Sequence, residues 1–379
     1  MSLFDVYPLF DVTPVSGKGV FIYDDKGKKY LDLYGGHAVI SIGHAHPKYV
    51  ERISTQLEQL CFYSNSIQNP LQVELAERLV ALSGCKDYQL FMCNSGAEAN
   101  ENALKLASFQ NEKHKVLAFQ NSFHGRTSAA VAATDNPKVV APINAQQKVD
   151  FVSLGDLETV EHILRKNETC AVIIECIQGV GGLDQEETSF YQGLEKLCKQ
   201  YNTILIADEV QSGFGRSGDF FAFQKHNITP DIISIAKGMG NGFPVGGVLI
   251  HPSIKPSYGL LGTTFGGNHL ACVATLSVLD IIEKEKLMEN VKKISSYFSE
   301  KATHIPQLKT LKGRGLMLGL EFKFPITTLR KNLIYKHQIF TGSSKNPNLI
   351  RILPPLTIKK EHIDTFFNAL KTELSHETF

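Results

Sequence analysis

The chain has 379 residues, of which 43% are hydrophobic and 20% are charged, and its formal net charge is +1. These values are typical of a globular protein of one or two domains, and they give no electrostatic reason to expect a nucleic acid or a membrane surface as partner. The seven cysteines form no C-x-x-C pair, and the chain shows neither a signal peptide nor an apolar run of the roughly 20 residues that span a membrane, so we expect a cytoplasmic protein with reduced thiols.

The first 50 residues are predicted to form short strands and turns. Residues 19–23 and 29–33 are rich in apolar and aromatic side chains, and Asp-Asp-Lys-Gly lies between them. This pattern predicts a β-hairpin with Gly27 in its turn.

From about residue 70, helices and strands are predicted to alternate. Buried strands are predicted at residues 116–119, 171–174, 203–207, 231–236 and 246–250, and helices at residues 72–82, 157–164 and 191–201. Such alternation is typical of an α/β fold with a mostly parallel sheet. A long helical stretch follows residue 270, then short strands at 315–322 and 349–353, and a final helix from about Glu361. We predict a large domain at residues 55–270 and a small α+β domain built from both termini, residues 1–54 and 271–379.

The segment Asn94-Ser-Gly-Ala-Glu-Ala99 is predicted to begin a helix that runs to about Asn111. Ser95 suits the N-cap position, and Gly96 allows a ligand to approach the backbone closely. The free N–H groups and the helix dipole favour an anion at such an end. Taken alone, the motif is explained as well by a capped helix that binds nothing.

The loop Asn121-Ser-Phe-His-Gly-Arg-Thr127 directly follows the strand predicted at residues 116–119. Phe123 could stack on a flat heterocycle that His124 flanks. Arg126 offers a pair of N–H groups to a carboxylate. A polar loop with one aromatic anchor is the alternative.

Two charged side chains lie at the ends of two apolar runs. Asp208 ends the run from residue 203, and Lys237 ends the run from residue 231. Ligands of open α/β sheets bind at the carboxyl ends of the strands. A lysine and an aspartate there suit pyridoxal phosphate, because the lysine forms the Schiff base and the aspartate pairs with the pyridinium nitrogen. A structural ion pair at the rim of the sheet is the alternative that these two residues leave open.

The segment from Asp208 to Gly213 adds two residues to this hypothesis. Gln211 could reach another polar edge of the ring, and Val210 could pack on the ring face opposite Phe123. Further along the chain, Gly262-Thr-Thr-Phe-Gly-Gly-Asn268 is a glycine-rich loop with two hydroxyls that could hold a phosphate of this subunit or of a neighbour.

His44 and His46 are the residues that most invite a metal interpretation. No cluster of Cys, Asp or Glu with ligand spacing accompanies them. We therefore predict no metal site.

Together these motifs resemble the class III (ornithine-type) aminotransferases of the pyridoxal phosphate fold type I. The matching segments are NSGAEA at 94–99, FHGRT at 123–127, DEVQSGFGRSG at 208–218, IAKG at 235–238 and TTFGGN at 263–268. Their order and spacing match as well, over essentially the whole chain. Within the class, the short length and the Arg126-containing FHGRT most resemble the acetylornithine aminotransferases of arginine biosynthesis.

The resemblance implies a role for each matching residue. Lys237 would be the catalytic lysine that carries pyridoxal phosphate, Asp208 would pair with the ring nitrogen, and Gln211 with the phenolic oxygen. The ring would lie between Phe123 and Val210. Three residues would hold the phosphate: Ser95, Gly96 and Ala97. Thr264 would reach the phosphate of a partner subunit, so the resemblance implies a homodimer with shared active sites.

The resemblance also implies two substrates, an N-acylated ornithine and 2-oxoglutarate, with Arg126 and Arg351 as carboxylate clamps. The carboxylate of acylornithine lies several bonds from its reacting amine, whereas glutamate carries one carboxylate beside the amine and one far from it. Arg126 can hold the far carboxylate of both molecules, and Arg351 is needed only for the near one. The products would be the N-acylglutamate 5-semialdehyde and glutamate.

The chain departs from the family pattern at several positions. Val180 stands where relatives have a glutamate that masks the arginine matching Arg351, so we hypothesise that Arg351 is less masked here. A Val180→Glu variant with unchanged kinetics in both half-reactions would contradict this hypothesis. Cys176 replaces a common proline. His37 replaces a common aliphatic residue near the substrate entrance, where it could contact the acyl group or simply face solvent.

These departures leave the acyl group open between acetyl and succinyl. Other class III enzymes, acting on ornithine, 4-aminobutyrate or a similar ω-amine, are the first alternative. A related pyridoxal phosphate enzyme such as an aminomutase or decarboxylase is the second. A non-catalytic protein on this scaffold would be expected to lack Lys237, Asp208 or the arginines, and a nicotinamide-binding protein would need a G-x-G-x-x-G after its first strand.

Overall fold

The structure is a computed structural model and describes residues 3–376. Within this range the strands form three sheets, one of seven strands and two of four. The strands are β1 (Pro14–Lys18), β2 (Phe21–Asp24), β3 (Lys29–Asp32), β4 (Gln89–Cys93), β5 (Lys115–Phe119), β6 (Val149–Val152), β7 (Thr169–Ile174), β8 (Ile204–Asp208), β9 (Ile232–Ile235), β10 (Gly246–Ile250), β11 (Leu308–Arg314), β12 (Met317–Phe322), β13 (Ile339–Phe340), β14 (Gly342–Ser343) and β15 (Leu349–Ile352). The α-helices of five or more residues are Pro47–Gln59, Pro70–Ser83, Gly96–Asn111, Ser128–Ala132, Leu157–Leu164, Thr188–Gln200, His269–Lys284, Leu287–Ala302, Thr327–Tyr335 and Lys360–His376.

The seven-stranded sheet is mostly parallel, as predicted. Its order is β4-β10-β9-β8-β7-β5-β6. Strands β9, β8, β7, β5 and β6 pair in parallel, whereas β10 is antiparallel to both of its neighbours. The central strands β7, β8 and β9 are buried at every residue, which explains why their sequences are continuous apolar runs and not alternating ones.

The two strands that the sequence did not predict, β4 and β6, lie at the two edges of this sheet. Each is only partly buried, so neither carries the long apolar run that marks a central strand. The helix Gly96–Asn111 begins shortly after β4 and packs on β7, β8, β9 and β10. This packing fixes the start of the helix beside the carboxyl ends of the central strands.

The smaller sheets contain strands from the terminal parts of the chain. Strands β2 and β3 form the predicted hairpin, and Gly27 lies in its turn with a φ of 74°. Strand β13 pairs in parallel with β3, so residues from near both ends of the chain share one sheet. The third sheet, in the order β11-β12-β15-β14, carries Arg351 on β15. The division at residues 54 and 270 stays a prediction.

The helix His269–Lys284 is buried along most of its length. It packs against the helices Pro47–Gln59 and Pro70–Ser83 and is apolar around most of its circumference. Within residues 3–376, no helix combines the length and the apolar content that a membrane crossing requires.

Candidate active site

The central cavity, with a volume of about 360 Å³, opens at the carboxyl ends of the parallel strands. Asp208 is the last residue of β8, and Lys237 follows the end of β9 by two residues. Both side chains line this cavity. The prediction that the two strands would deliver a carboxylate and an amine to one place is therefore confirmed.

Lys237 lies in a short 3₁₀ turn, and its backbone φ of 50° is in the left-handed region. Burial lowers the pKa of its amine from 10.5 to about 8, and this effect outweighs the opposing influence of the Asp208 and Glu175 carboxylates. A substantial fraction of the amine is thus neutral near physiological pH. A neutral amine can attack a carbonyl carbon and can accept a proton, whereas an ammonium group can do neither.

The Asp208 carboxylate is 5% exposed and is held by three donors. Its Oδ2 atom lies 2.7 Å from Nδ1 of His124 and accepts a hydrogen bond of 2.8 Å from Asn100. Its Oδ1 atom accepts one of 3.0 Å from the amide of Val210. These contacts satisfy a buried charge that would otherwise be costly, and they fix the direction in which the carboxylate faces.

Asn100 was missed by the sequence interpretation. It lies one helical turn after Gly96, on the face of the helix that packs against the sheet, and its amide also donates to the carbonyl of His124. The spacing of four residues from Gly96 was the available signal.

The start of the helix Gly96–Asn111 forms one end of the cavity. Ser95 is the N-cap, as predicted, and its Oγ atom accepts a hydrogen bond of 3.2 Å from the amide of Glu98. The first amides of a helix have no intrahelical acceptor, so those of Gly96 and Ala97 can bind an anion. A Cβ atom on Gly96 would lie 2.5 Å from Cγ1 of Val210, which shows why glycine is required there.

Phe123 and Val210 both line the cavity, with the aromatic ring and the branched side chain available to pack on a flat ligand. The amide of Phe123 donates a hydrogen bond of 2.9 Å to Oε1 of Glu175, and the amide of Gly179 donates one of 2.8 Å to Oε2. Burial raises the pKa of this carboxyl group. Glu175 was not predicted, although it directly follows β7, and the rule that identified Asp208 would have found it.

The two arginines lie at different depths. Arg126 is exposed and lines the cavity, with its guanidinium 5.9 Å from the centre of the Phe123 ring. Arg351 is 3% exposed, and it donates to the carbonyl of Gly179 at 2.8 Å and to Oε1 of Gln211 at 3.4 Å. Because Gln211 lines the cavity, Arg351 lies just behind its wall. Burial lowers the pKa of the Arg351 guanidinium.

The structure brings nearly all of the predicted site residues together. Those that line the cavity are Ser95, Gly96, Ala97, Phe123, Arg126, Asp208, Val210, Gln211 and Lys237. Arg351 contacts Gln211. Thr264 is exposed and is not among the lining residues, so within this subunit it lies apart from the others.

The remaining sequence candidates have local structural partners. His44 lies 2.8 Å from Asp32, and His46 lies 3.0 Å from Glu285. Arg216, in the segment at 208–218, is buried and donates to backbone carbonyls, including that of Leu316 at 3.2 Å.

These residues fit pyridoxal phosphate. The cavity provides an amine with a lowered pKa for its aldehyde, a fixed carboxylate for its ring nitrogen and a helix start for its phosphate. Buried polar atoms also point to a ligand, since Nε2 of His124 has no hydrogen-bond partner within residues 3–376.

Comparison with known proteins gives a family match over almost the whole chain. The model of the family described as Aminotransferase class-III matches residues 6–374. The chain is 41% identical to the acetylornithine aminotransferase of Aquifex aeolicus over 97% of this chain and 98% of the relative. It is 39% identical to the enzyme of the same name from Methanocaldococcus jannaschii, over 96% and 94% of the two chains.

Solved structures share the fold. The ornithine aminotransferase of Toxoplasma gondii superposes with a TM-score of 0.91 over 98% of this chain and 93% of that one, at 24% identity. An (S)-enantioselective omega-transaminase from Thermomicrobium roseum superposes with a TM-score of 0.89 over 98% and 96% of the two chains, at 27% identity.

Proposed function

This chain belongs to the class III aminotransferase family, whose members depend on pyridoxal phosphate, and we propose that it transfers the terminal amine of an N-acylated ornithine to 2-oxoglutarate. The products are the N-acylglutamate 5-semialdehyde and glutamate, in arginine biosynthesis. The observation that carries the proposal is that Lys237 and Asp208 share one cavity with an arginine at its surface and another behind its inner wall. The names of the relatives that are 36–41% identical support the same reaction.

Pyridoxal phosphate, when bound, supplies an aldehyde for the substrate amine and a ring that withdraws electrons from the reacting carbon. Asp208 would pair with the ring nitrogen and keep it protonated, and Gln211 would donate to the phenolic oxygen. Phe123 and Val210 would hold the ring between them. Ser95, Gly96 and Ala97 would hold the phosphate.

Lys237 moves the proton in each half-reaction. Its Nζ atom would take a proton from the substrate carbon that bears the amine and later release it, so Lys237 would act first as base and then as acid. A pKa of about 8 suits both roles, because neither protonation state is strongly disfavoured near neutral pH. Asn100 and His124 act through Asp208, which they orient.

The two arginines let substrates of different shape use one site. Arg126, at the surface of the cavity, binds the carboxylate that lies far from the reacting carbon in both acylornithine and 2-oxoglutarate. Arg351, behind the inner wall, binds the carboxylate that only glutamate and 2-oxoglutarate carry beside the reacting carbon. Arginine suits both positions because its parallel N–H groups match a carboxylate.

The active enzyme is a cytoplasmic homodimer in this proposal, and Thr264 completes the phosphate site of the partner. The exposure of Thr264 and its separation from the cavity of its own subunit support this arrangement. The neighbouring Phe265 is also exposed, and its ring lies 5.4 Å from that of Phe62, so the loop presents apolar surface beside the hydroxyl.

The test is to supply single amine donors with 2-oxoglutarate and to quantify the glutamate formed. N-acetylornithine, N-succinylornithine, ornithine and 4-aminobutyrate are the four donors. We expect one of the acylated ornithines to have the highest kcat/KM, and the comparison between them identifies the acyl group. A preference for ornithine or 4-aminobutyrate would contradict the proposal, and a Lys237→Ala variant is the control for uncatalysed transfer.

A further inference from the structure

Arg351 is anchored by backbone carbonyls. Its Nε atom donates to the carbonyl of Ser343 at 2.5 Å, and its Nη1 atom donates to that of Gly179 at 2.8 Å. Within residues 3–376, no carboxylate forms an ion pair with it, and the nearby Val180 can offer neither a charge nor a side-chain hydrogen bond. Its hydrogen-bond partners among the described residues are thus all neutral, and the Glu175 carboxylate acts on it only through space, as a nearby charge that opposes the lowering of its pKa.

Two side chains cover the rest of the guanidinium, and their contacts are longer. Arg351 donates to the Tyr34 hydroxyl at 3.2 Å and to Oε1 of Gln211 at 3.4 Å. The Tyr34 ring also lies beside the guanidinium, with its centre 5.6 Å away. Because longer hydrogen bonds are weaker, a ligand would displace these side chains before the two backbone carbonyls.

His37 contacts both covering side chains. Its Nδ1 atom lies 2.5 Å from the Tyr34 hydroxyl, and its carbonyl accepts a hydrogen bond of 3.3 Å from Gln211. His37 adopts a φ of 68° between Gly36 and Ala38, whose φ values of 56° and 64° are also in the left-handed region. This left-handed turn directs the imidazole ring to Tyr34 and the carbonyl to Gln211.

The Tyr34 hydroxyl can donate a hydrogen bond to His37. Although His37 is exposed as a residue, partial desolvation of its ring and the nearby charges of Arg351 and Lys237 lower its pKa to about 4, so the imidazole is neutral and Nδ1 can accept. Arg351 can only donate, so the Tyr34 oxygen accepts from it, and when His37 carries its proton on Nε2 the Tyr34 hydroxyl donates a hydrogen bond to Nδ1. Tyr34 therefore presents lone pairs to Arg351 and competes with any carboxylate that approaches the same N–H groups.

We propose that Tyr34 and His37 determine specificity by forming a neutral cover over Arg351, which a carboxylate beside the reacting carbon must displace. The identity of that carboxylate rests on the proposed function. An amine donor whose reacting carbon carries no carboxylate leaves the cover in place. Glutamate and 2-oxoglutarate break the bond between Arg351 and Tyr34 and form their own charged pair with Arg351.

The test is the affinity for glutarate, a dicarboxylate without an amine or a ketone, measured by calorimetry on the protein loaded with pyridoxal phosphate. Tyr34→Phe removes the competing oxygen. His37→Gly removes the imidazole, and the matched control His37→Asn keeps an acceptor near the Nδ1 position. Glycine and asparagine both tolerate the left-handed backbone of residue 37, so the two variants differ mainly in that acceptor.

We expect Tyr34→Phe and His37→Gly to bind glutarate about threefold to tenfold more tightly than the unaltered protein, the effect of one competing hydrogen bond of 3.2 Å from the guanidinium to a neutral oxygen. His37→Asn should bind it as the unaltered protein does. The KM for 2-oxoglutarate should fall in the same two variants, while the KM for the preferred amine donor stays the same. The glutarate titration is repeated on protein without pyridoxal phosphate, where the order of affinities should be the same.

The proposal would be wrong if Tyr34→Phe bound glutarate no more tightly than the unaltered protein. It would also be wrong if His37→Asn bound glutarate as tightly as His37→Gly. Arg351→Ala should lose most of the glutarate affinity, and its retention would show that the ligand binds elsewhere. The glutarate result does not depend on which amine is transferred. If the acylornithines failed as donors, the proposed function would be wrong. The glutarate titrations would still decide whether Tyr34 and His37 cover Arg351.

Discussion

The Nδ1 atom of His124 lies 2.7 Å from Oδ2 of Asp208, and both side chains are buried. The same oxygen accepts from Asn100, whose amide also reaches the carbonyl of His124. Three groups from three different segments of the chain thus hold one another. Contacts within the protein therefore fix the carboxylate that is proposed to face the cofactor ring.

Asn100→Ala is expected to reduce stability, because it removes a donor from the buried carboxylate of Asp208 and from a buried carbonyl. The cost should be about 1–3 kcal/mol of unfolding free energy. Urea denaturation of the protein without pyridoxal phosphate measures it. The matched control is Asn102→Ala on the same helix, since Asn102 donates to the backbone carbonyl of Glu98 in its own helix and lies nearer the surface. Equal losses in both variants would contradict a special role for Asn100.

The rate of covalent attachment of pyridoxal phosphate to Lys237 is expected to depend on pH. Only the neutral amine attacks the aldehyde, and the pKa of Lys237 is lowered to about 8. The rate should therefore rise as the pH increases from 6 to 8 and become constant above about 9. Stopped-flow absorbance on protein freed of cofactor measures this. A rate that still rose steeply above pH 9.5 would indicate an amine with an ordinary lysine pKa.

Gly96→Ala is expected to weaken the binding of pyridoxal phosphate. The added methyl group would lie 2.5 Å from Cγ1 of Val210 and would push that side chain toward the space proposed for the ring. The dissociation constant should rise at least about tenfold, or roughly 1.4 kcal/mol. Fluorescence titration measures it, and adding Val210→Ala should restore part of the affinity. Unchanged binding in Gly96→Ala would show that this contact does not shape the site.

The two arginines are expected to differ in which substrates they affect. Arg126→Ala should lower kcat/KM for both the acylornithine and 2-oxoglutarate. The lost binding free energy should be roughly 2–4 kcal/mol if each substrate forms a desolvated charge pair with Arg126. Arg351→Ala should lower it for 2-oxoglutarate alone. Separate half-reaction kinetics measure each effect. If Arg126→Ala impaired only one substrate, the shared clamp would be refuted.

The sequence predicted the part of the site that follows from local pattern. Asp208 and Lys237 end buried strands, and Ser95 begins a helix, so their positions at one edge of the sheet followed from the rule for parallel strands. Glu175 directly follows β7 and obeys the same rule, although no motif in the sequence marks it.

Other parts of the site depend on contacts between distant segments, which periodicity does not reveal. Tyr34 meets Arg351 across 317 positions of the chain, and Gln211 meets His37 across 174. The left-handed turn at His37 contains a histidine and an alanine at positive φ, where sequence rules expect glycine or asparagine. The sequence marks His37 as a departure from the family pattern, whereas nothing in it marks Tyr34 as the partner of His37.

The measurement that tests the account most directly is a half-reaction titration of the protein loaded with pyridoxal phosphate. Each amine is added without 2-oxoglutarate, and loss of the visible absorbance of the cofactor bound to Lys237 is followed. The account predicts rapid loss with N-acetylornithine or N-succinylornithine and slow loss with ornithine and 4-aminobutyrate. Rapid loss with a free ω-amine alone would contradict the proposed substrate while leaving the fold and the cofactor site intact.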